Sequence, residues 1–311
     1  MAVKLVTGGA GFIGSHLAER LTELGHEVRV LDNFTTGRRE NIAHLEGRIQ
    51  VIEGDIRDAA TAAEAVKGVD AVFHLAALAS VPRSVDDPFA SNDVNVNGTL
   101  TMLIASRDAG VRRLVYSSSS SVYGDTPELP KREDMPARPM SPYAVGKLAG
   151  EYYTRSFYGL YGLETVCLRY FNVFGPRQDP TSQYAAVVPI FTSRLLAGNV
   201  PTIYGDGEQS RDFTYVSSVV DANVLASECE GAEGGVFNIA RGHTITVNEL
   251  YERLQSLTGT SMGAAYEDAR VGDVKHSFAD IAQARDVLGF APGVGLDEGL
   301  ELTVEWFRSQ G

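Results

Sequence analysis

Tyr143 and Lys147 stand four residues apart in Ser141-Pro142-Tyr143-Ala144-Val145-Gly146-Lys147, at the start of a segment with helical spacing. Both side chains therefore fall on one face of one helix. A phenol beside an ammonium is a candidate general base. Free tyrosine, with a pKa near 10, is ~0.1% ionised at pH 7, and a drop of ~3 units, about 4 kcal/mol, leaves roughly half of it as phenolate. A nearby cation supplies a field of that sign. Tyr and Lys meet at this spacing on many exposed helices, so the pair gains weight only from its surroundings. Upstream lies a run of serines, Ser117 to Ser121. By composition alone it reads as a linker, but Leu114-Val115-Tyr116 leads in and Val122-Tyr123-Gly124 leads out. The hydroxyls then sit at the C-terminal end of a buried strand, where doubly wound folds gather their ligands. One of them can hydrogen-bond the substrate oxygen that Tyr143 deprotonates.

The second constellation is Thr7-Gly8-Gly9-Ala10-Gly11-Phe12-Ile13-Gly14, which follows the first strand and opens the first helix. Glycine at 8, 11 and 14 allows a tight turn, close approach of backbone N–H groups to a pyrophosphate, and close helix–strand packing. Glycine makes up 32 of the 311 residues, so spacing alone is weak. The context strengthens it: Asp32 ends the second strand 18 residues past Gly14, where an acid binds the adenosine ribose hydroxyls. A carboxylate there repels a 2′-phosphate, which favours NAD over NADP. Arg38 and Arg39 soften that preference unless they are solvated helix-start charges. An oxidised nicotinamide adds a second positive charge to the field at Tyr143.

Positioning these groups requires an alternating fold. Short β-branched runs at residues 3–7, 27–31, 50–53, 71–75, 113–118 and 165–170 alternate with helical segments at 12–24, 58–67, 89–109 and 142–161. Such alternation implies a Rossmann-like, doubly wound parallel α/β sheet, and strands that are nearly all apolar fit a sheet covered on both faces. After Gly175-Pro176-Arg177 the texture changes to helical runs at 185–197, 216–228, 247–257, 281–288 and 296–307, broken by Gly- and Pro-bearing loops. The expected division is a nucleotide-binding domain over 1–177 and a smaller C-terminal α/β substrate lobe over 178–311. The boundary is soft, because Val236-Phe237-Asn238-Ile239-Ala240 reads as one further buried strand.

A length of 311 residues allows two domains at about 150 residues each. Hydrophobic residues are 44% and charged residues 22%, the mix of a folded globular protein. A net charge of −13 repels phosphate backbones and anionic lipid headgroups, so neither nucleic acid nor a membrane surface is expected as a partner. The longest stretch without Asp, Glu, Lys or Arg is 14 residues, short of the ~20 a membrane-spanning helix needs. The N-terminus reads directly into the first strand without signal-peptide features, and two cysteines, Cys167 and Cys229, cannot make a disulfide framework. A reducing cytoplasm is the expected location. The six histidines show no paired ligand spacing with Cys or carboxylates, so no metal is expected. His74, inside a strand, reads as a satisfied core residue, and each cysteine as packing.

With these motifs in place the chain resembles the extended short-chain dehydrogenase/reductase superfamily, specifically its NAD-dependent nucleotide-sugar epimerases and dehydratases, over essentially its whole length. The resemblance is carried by the glycine motif, Asp32-Asn33, Gly54-Asp55-Ile56, His74-Leu75-Ala76-Ala77, Asn95-Val96-Asn97-Gly98-Thr99 and the serine run. It continues through Tyr143-x-x-x-Lys147, Tyr170-Phe171-Asn172-Val173-Phe174-Gly175 and Tyr204-Gly205-Asp206-Gly207-x-x-x-Arg211-Asp212-Phe213. It implies that Gly8, Gly11, Phe12, Ile13, Gly14, Asp32 and Asn33 hold the dinucleotide. Asp55 and Ile56 take the adenine, Leu75, Ala76, Ala77 and Asn95 line the groove, and Tyr143, Lys147 and Tyr170 border the nicotinamide end. Ser119 is the implied catalytic hydroxyl, with Ser121 beside it. Asn172, Arg211 and Arg270 are expected on the nucleotide diphosphate and Asp273 on its ribose, a diphosphate suiting the forked donors of arginine.

The family's 4-epimerases, 4,6-dehydratases and sugar-acid decarboxylases share an initial oxidation at C4. Dehydratases resemble one another in an Asp-Glu pair after the catalytic hydroxyl, and decarboxylases carry Glu two before the Tyr of Val-Tyr-Gly. Here those positions are Ser120 and Ser121, so elimination and decarboxylation lack the acid–base pair they need. What the resemblance implies is 4-epimerisation of a UDP-hexose, closest to the UDP-glucose and UDP-N-acetylglucosamine 4-epimerases, with UDP-glucuronate 4-epimerisation or another nucleotide-sugar dehydratase or decarboxylase activity of the family as the alternative. Ser80, Gln178, Ala186, Val187, Tyr204 and Ser277 are the residues it sets around the sugar nucleotide. The small Ser277 leaves room for an N-acetyl group. A non-catalytic NAD sensor on the same fold would need no Tyr143, Lys147 and Ser119 together. The helices near residues 100–105 and 148–157 carry apolar residues at helical spacing, which one face of each needs to cover the sheet, and the resemblance implies that they also pair across a two-fold axis into a homodimer.

Overall fold

The computed structural model describes residues 1–181, 186–269 and 274–310. Seven parallel strands form the central sheet: β1 (Val3–Thr7), β2 (Glu27–Asp32), β3 (Ile49–Glu53), β4 (Ala71–His74), β5 (Arg113–Ser119), β6 (Glu164–Tyr170) and β7 (Val236–Ile239). Their spatial order is β7-β6-β5-β4-β1-β2-β3. The chain winds outward from β1 through β2 to β3, then restarts at β4 on the other side of β1. A crevice therefore opens between the C-terminal ends of β1 and β4, where Thr7 and His74 are register partners.

Alternating side chains send each strand into both cores. Val6 and Val115 enter one, with Leu17 and Leu21 of the Phe12–Glu23 helix. Leu5, Leu114 and Tyr116 enter the other, with Met102 and Leu103 of the Thr99–Asp108 helix and Phe157 of the Pro142–Tyr161 helix. Burial of each such side chain stabilises by ~1.5–3 kcal/mol, which is why these strands read as continuous apolar runs.

The structure differs from the sequence expectation in two places that bear on the site. The segment expected as one helix over 89–109 is Pro88–Asn92, a π-helical turn at Asp93–Gly98, then Thr99–Asp108. The wide turn coincides with Asn95, whose carboxamide is bonded to the Leu78 backbone and to the Ser91 hydroxyl. The helix Val216–Glu228, grouped by texture with the second lobe, instead covers the sheet: Val216, Val219 and Val220 pack in one core with Leu17, Ala18 and Leu21. After it, β7 pairs with β6.

The lobe proper packs Phe191 and Leu195 of helix Val187–Leu196 against Leu250 and Leu254 of Val247–Thr258 and Leu300 of Leu296–Ser309. Its strands are only two or three residues long. Ser210–Arg211 lies between Ile245–Thr246, antiparallel, and His276–Ser277, parallel. Among the described residues no helix is long and apolar enough to cross a membrane.

Candidate active site

β1 delivers the chain into the glycine turn. Gly8 adopts φ +69° and donates its N–H to the Leu31 carbonyl at 2.8 Å, while Gly11 donates back to the Gly8 carbonyl at 3.0 Å. A Cβ on Gly14 would stand 2.2 Å from the Gly8 oxygen, and one on Gly8 2.8 Å from the Ala76 backbone. Gly11 precedes the Phe12–Glu23 helix without any side-chain cap. The helix thus presents bare N–H groups at its positive end, a cradle that fits the pyrophosphate of NAD. Phe12 and Ile13 pack half-buried against the core and fix the first turn.

Asp32, 7% exposed at the end of β2, accepts the Ala10 and Phe34 N–H groups, both at 2.9 Å. Burial raises its pKa, and the two N–H donors oppose that. The carboxylate thereby ties the glycine turn to the loop that follows β2. The two arginines nearby are both occupied. Arg38 lies 2.7 Å from the Asp179 carboxylate, and Arg39 pairs with Glu53 and stacks over the Phe34 ring at 4.0 Å. Asn33 donates to Asp55 at 3.0 Å, and the hydrogen-bonded Arg57 guanidinium holds the Asp55 carboxyl well below the usual carboxylate range. Ile56 is buried against Gly98, where a Cβ would meet it at 2.6 Å.

On the β4 side, Leu75 N–H bonds the Thr7 carbonyl and Ala76 N–H the Thr7 hydroxyl, each at 3.2 Å. Ala77 follows, half-buried. Asn95 accepts the Leu78 N–H at 2.9 Å and is 2% exposed, so it holds the 75–78 loop in place. His74 is wired at both nitrogens, to Thr7 at 2.8 Å and Thr99 at 3.1 Å, and burial pulls its pKa down to about 3. It is a satisfied core residue.

The Pro142–Tyr161 helix starts where Ser141 accepts the Ala144 N–H at 3.2 Å and Pro142 pre-sets the first turn. That cap fixes Tyr143 at the helix mouth and Lys147 one turn on. Two glycines bring the helix close: a Cβ on Gly150 would lie 2.1 Å from the Tyr116 hydroxyl, and one on Gly146 3.2 Å from Asn95 Cβ. Lys147 is 4% exposed and donates to the Ser117 carbonyl at 2.7 Å, with its ammonium 6.0 Å from the Tyr143 ring centre. Burial pulls it down to about 8, with the Glu151 carboxylate opposing. Tyr143 is raised by burial, against the hydrogen bond from Ser119. In this structure burial of the ring keeps the phenol above its ordinary value. An oxidised nicotinamide, the second cation of the sequence expectation, would add a field that lowers it. Ser117 also bonds Tyr170 at 2.9 Å, and Tyr170 bonds Asn223 at 2.7 Å. Ser121 lies in the turn Ser120–Tyr123, its hydroxyl buried without a partner.

A cavity of about 530 Å³ opens toward the second lobe, walled in part by Asn172, Ala186, Val187, Tyr204 and Arg211. Asn172 holds φ +30° and donates to the Asp212 carbonyl at 3.4 Å. Arg211 donates to the Ser210 and Lys275 carbonyls, each at 3.0 Å. Ser80, Gln178 and Ser277 do not line this cavity. The Ser80 hydroxyl caps the helix Val81–Asp86, Gln178 reaches the Val173 carbonyl at 3.1 Å, and Ser277 sits one strand over, in register with Arg211. Arg270 and Asp273 fall outside the described residues. The cavity also uses Gln209, Ile190 and Phe213. Phe213 stood inside a recognised motif, whereas Gln209 and Ile190 carried no signal.

The model of the NAD dependent epimerase/dehydratase family matches residues 4–240. The UDP-glucose 4-epimerase of Mycolicibacterium smegmatis is 44% identical over 310 residues, covering 98% of each chain. Among solved structures, the UDP-N-acetylglucosamine 4-epimerase of Methanobrevibacter ruminantium in complex with UDP-N-acetylmuramic acid superposes with a TM-score of 0.96 at 44% identity, covering 100% of this chain and 99% of that one. The UDP-glucose 4-epimerase of Thermotoga maritima with UDP-glucose gives 0.95 at 42% identity, covering 99% of both.

Proposed function

Because this chain belongs to the NAD dependent epimerase/dehydratase family, we propose that it inverts C4 of UDP-hexoses, interconverting UDP-glucose and UDP-galactose and their N-acetylated counterparts. The observation that carries this reading is the convergence of Ser119, Tyr143 and Lys147 at the end of β5 with Ser120 and Ser121 in the following turn, where elimination or decarboxylation would need carboxyl groups.

NAD supplies reversible hydride acceptance at C4. Tyr143 takes the O4 proton as the C4 hydrogen leaves, Ser119 hydrogen-bonds O4, and Lys147, fixed by the Ser117 carbonyl, keeps positive charge beside the phenol. A 4-keto sugar results. It turns over beside Tyr143, which returns the proton to O4 on the inverted centre, so both hydrogens removed are restored. Arg211 and Asn172 suit the diphosphate, with Arg270 as a proposed second arginine and Asp273 on the uridine ribose.

We further read the enzyme as cytoplasmic and homodimeric. The helices Thr99–Asp108 and Pro142–Tyr161 leave Ile104, Tyr152, Tyr153 and Tyr158 exposed, which supports pairing across a two-fold axis. The deciding experiment is NMR product analysis with UDP-glucose, UDP-N-acetylglucosamine and UDP-glucuronate. Inversion at C4 of the first two is expected. Turnover of UDP-glucuronate alone, or products lacking C6 oxygen or carbon dioxide, would replace this reading.

A further inference from the structure

Tyr143, Lys147 and Glu151 follow one another at four-residue steps on the Pro142–Tyr161 helix, and each meets one of three consecutive serines of β5. Ser119 hydrogen-bonds the Tyr143 phenol, the Ser117 carbonyl accepts from Lys147 at 2.7 Å, and the Ser118 hydroxyl donates to Glu151. Glu151 is 2% exposed and would be an uncompensated charge but for Arg169 of β6, which grips it at both oxygens, Nε to Oε1 at 2.9 Å and Nη2 to Oε2 at 2.7 Å. The Arg169 guanidinium in turn lies 4.7 Å from the centre of the Tyr123 ring, and Tyr123 bonds Asn238 at 2.7 Å. The pair thus touches both ends of the Ser118 to Tyr123 segment that carries Ser119. A buried ion pair is a costly way to fill space, since apolar residues of similar volume often do as well or better. Its retention here, one turn behind the catalytic ammonium, calls for a use.

We propose that the Glu151–Arg169 pair is the positioning device of the active site: Glu151 keeps Lys147 cationic and seated on the Ser117 carbonyl, while Arg169 holds the Ser119 segment in register with the helix. This inference rests on the proposed roles of Tyr143 and Lys147. The charged or titratable groups around Lys147 are Tyr143 and Glu151 on its own helix, Tyr116 on β5 and His74 on β4, with Arg169 of β6 behind Glu151 partly offsetting its charge. The two aromatic hydroxyls and the imidazole are neutral there, all three driven that way by burial, which leaves Glu151 as the anion that favours the ammonium.

The test uses the NAD-loaded enzyme with labelled lysine side chains. The chain holds five lysines, and Lys147→Arg assigns the signal. In Glu151→Gln the NMR titration midpoint of Lys147 should fall by about one pH unit, and the alkaline limb of kcat should move with it while KM stays near wild type. If Glu151→Gln fails to fold because Arg169 is stranded, Glu151→Gln/Arg169→Gln removes both charges, and the midpoint should still fall but by less, because the offsetting Arg169 cation goes with the anion. A folded variant of either kind with the wild-type midpoint and pH profile overturns the proposal, as does a lower melting temperature with both unchanged. Lys147→Arg with wild-type turnover would instead overturn the underlying reading of the site, so the two failures are distinct.

Discussion

Gly150 and Tyr116 leave no space between the Pro142–Tyr161 helix and β5: a methyl group on Gly150 would sit 2.1 Å from the Tyr116 hydroxyl oxygen and 2.4 Å from the carbon that bears it. The Tyr116 hydroxyl also reaches the Lys147 carbonyl at 3.3 Å. Gly150→Ala should therefore push the helix outward along with Lys147. Overpacking of this kind costs about 1–3 kcal/mol. The expected result is a melting temperature lower by several degrees together with a fall in kcat, read by calorimetry and steady-state kinetics. Unchanged values of both would show that the helix can give way without consequence.

Tyr143→Phe should bind nucleotide sugar as wild type does but lose about three orders of magnitude in kcat, since the proton acceptor goes while the ring contacts stay. Lys147→Ala should also weaken NAD binding. Titration calorimetry separates the two. Turnover near wild type in Tyr143→Phe would rule out this residue as the base.

His74 links stability to acid. Burial holds its folded-state pKa at about 3, below the ordinary 6.5, so the folded chain carries fewer protons than the unfolded chain between those values. The contribution is fully present above about pH 6.5 and is lost as pH falls toward about 3. His74→Gln should be less stable at pH 7 but lose less between pH 7 and pH 5, measured as urea midpoints. An acid loss as steep as that of wild type would assign the effect elsewhere.

Ser277→Tyr tests substrate breadth. If Ser277 faces the C2 substituent, a larger ring there should cost the N-acetylated sugar about 1–3 kcal/mol, roughly 5- to 150-fold in kcat/KM, and leave UDP-glucose nearly unaffected. Equal slowing of both sugars would place Ser277 away from C2.

The strands of the main sheet were legible because burial on both faces writes short apolar stretches into them, Ala71-Val72-Phe73 of β4 and Leu114-Val115-Tyr116 of β5 most plainly. Two-residue strands such as Ser210–Arg211 and Val173–Phe174 are too short to show any period, so the lobe's small sheets were invisible. Residues of the local motifs, Gly8 to Gly14 and Ser117 to Ser119 with Tyr143 and Lys147, stand where the order of strands and helices in the sequence placed them. What was not legible depends on partners distant in the chain: Arg38 is claimed by Asp179, and Ser80 by the helix it caps. The direction of the Tyr143 shift depended on how deeply the fold buries the phenol, which the spacing to Lys147 does not encode.

The position of β7 has a consequence for synthesis. The ribosome releases β1 to β6 before the lobe helix Val187–Leu196, yet the sheet gains its last strand only when residues 236–239 emerge and pair with β6. Until then the nascent chain exposes the β6 edge, with unpaired N–H and C=O groups along Cys167 to Tyr170, the kind of edge that recruits foreign strands. Arrest of translation before residue 236 thus leaves an intermediate with Ser119, Tyr143 and Lys147 already made and an open flank, and the completed sheet depends on a segment made after these residues.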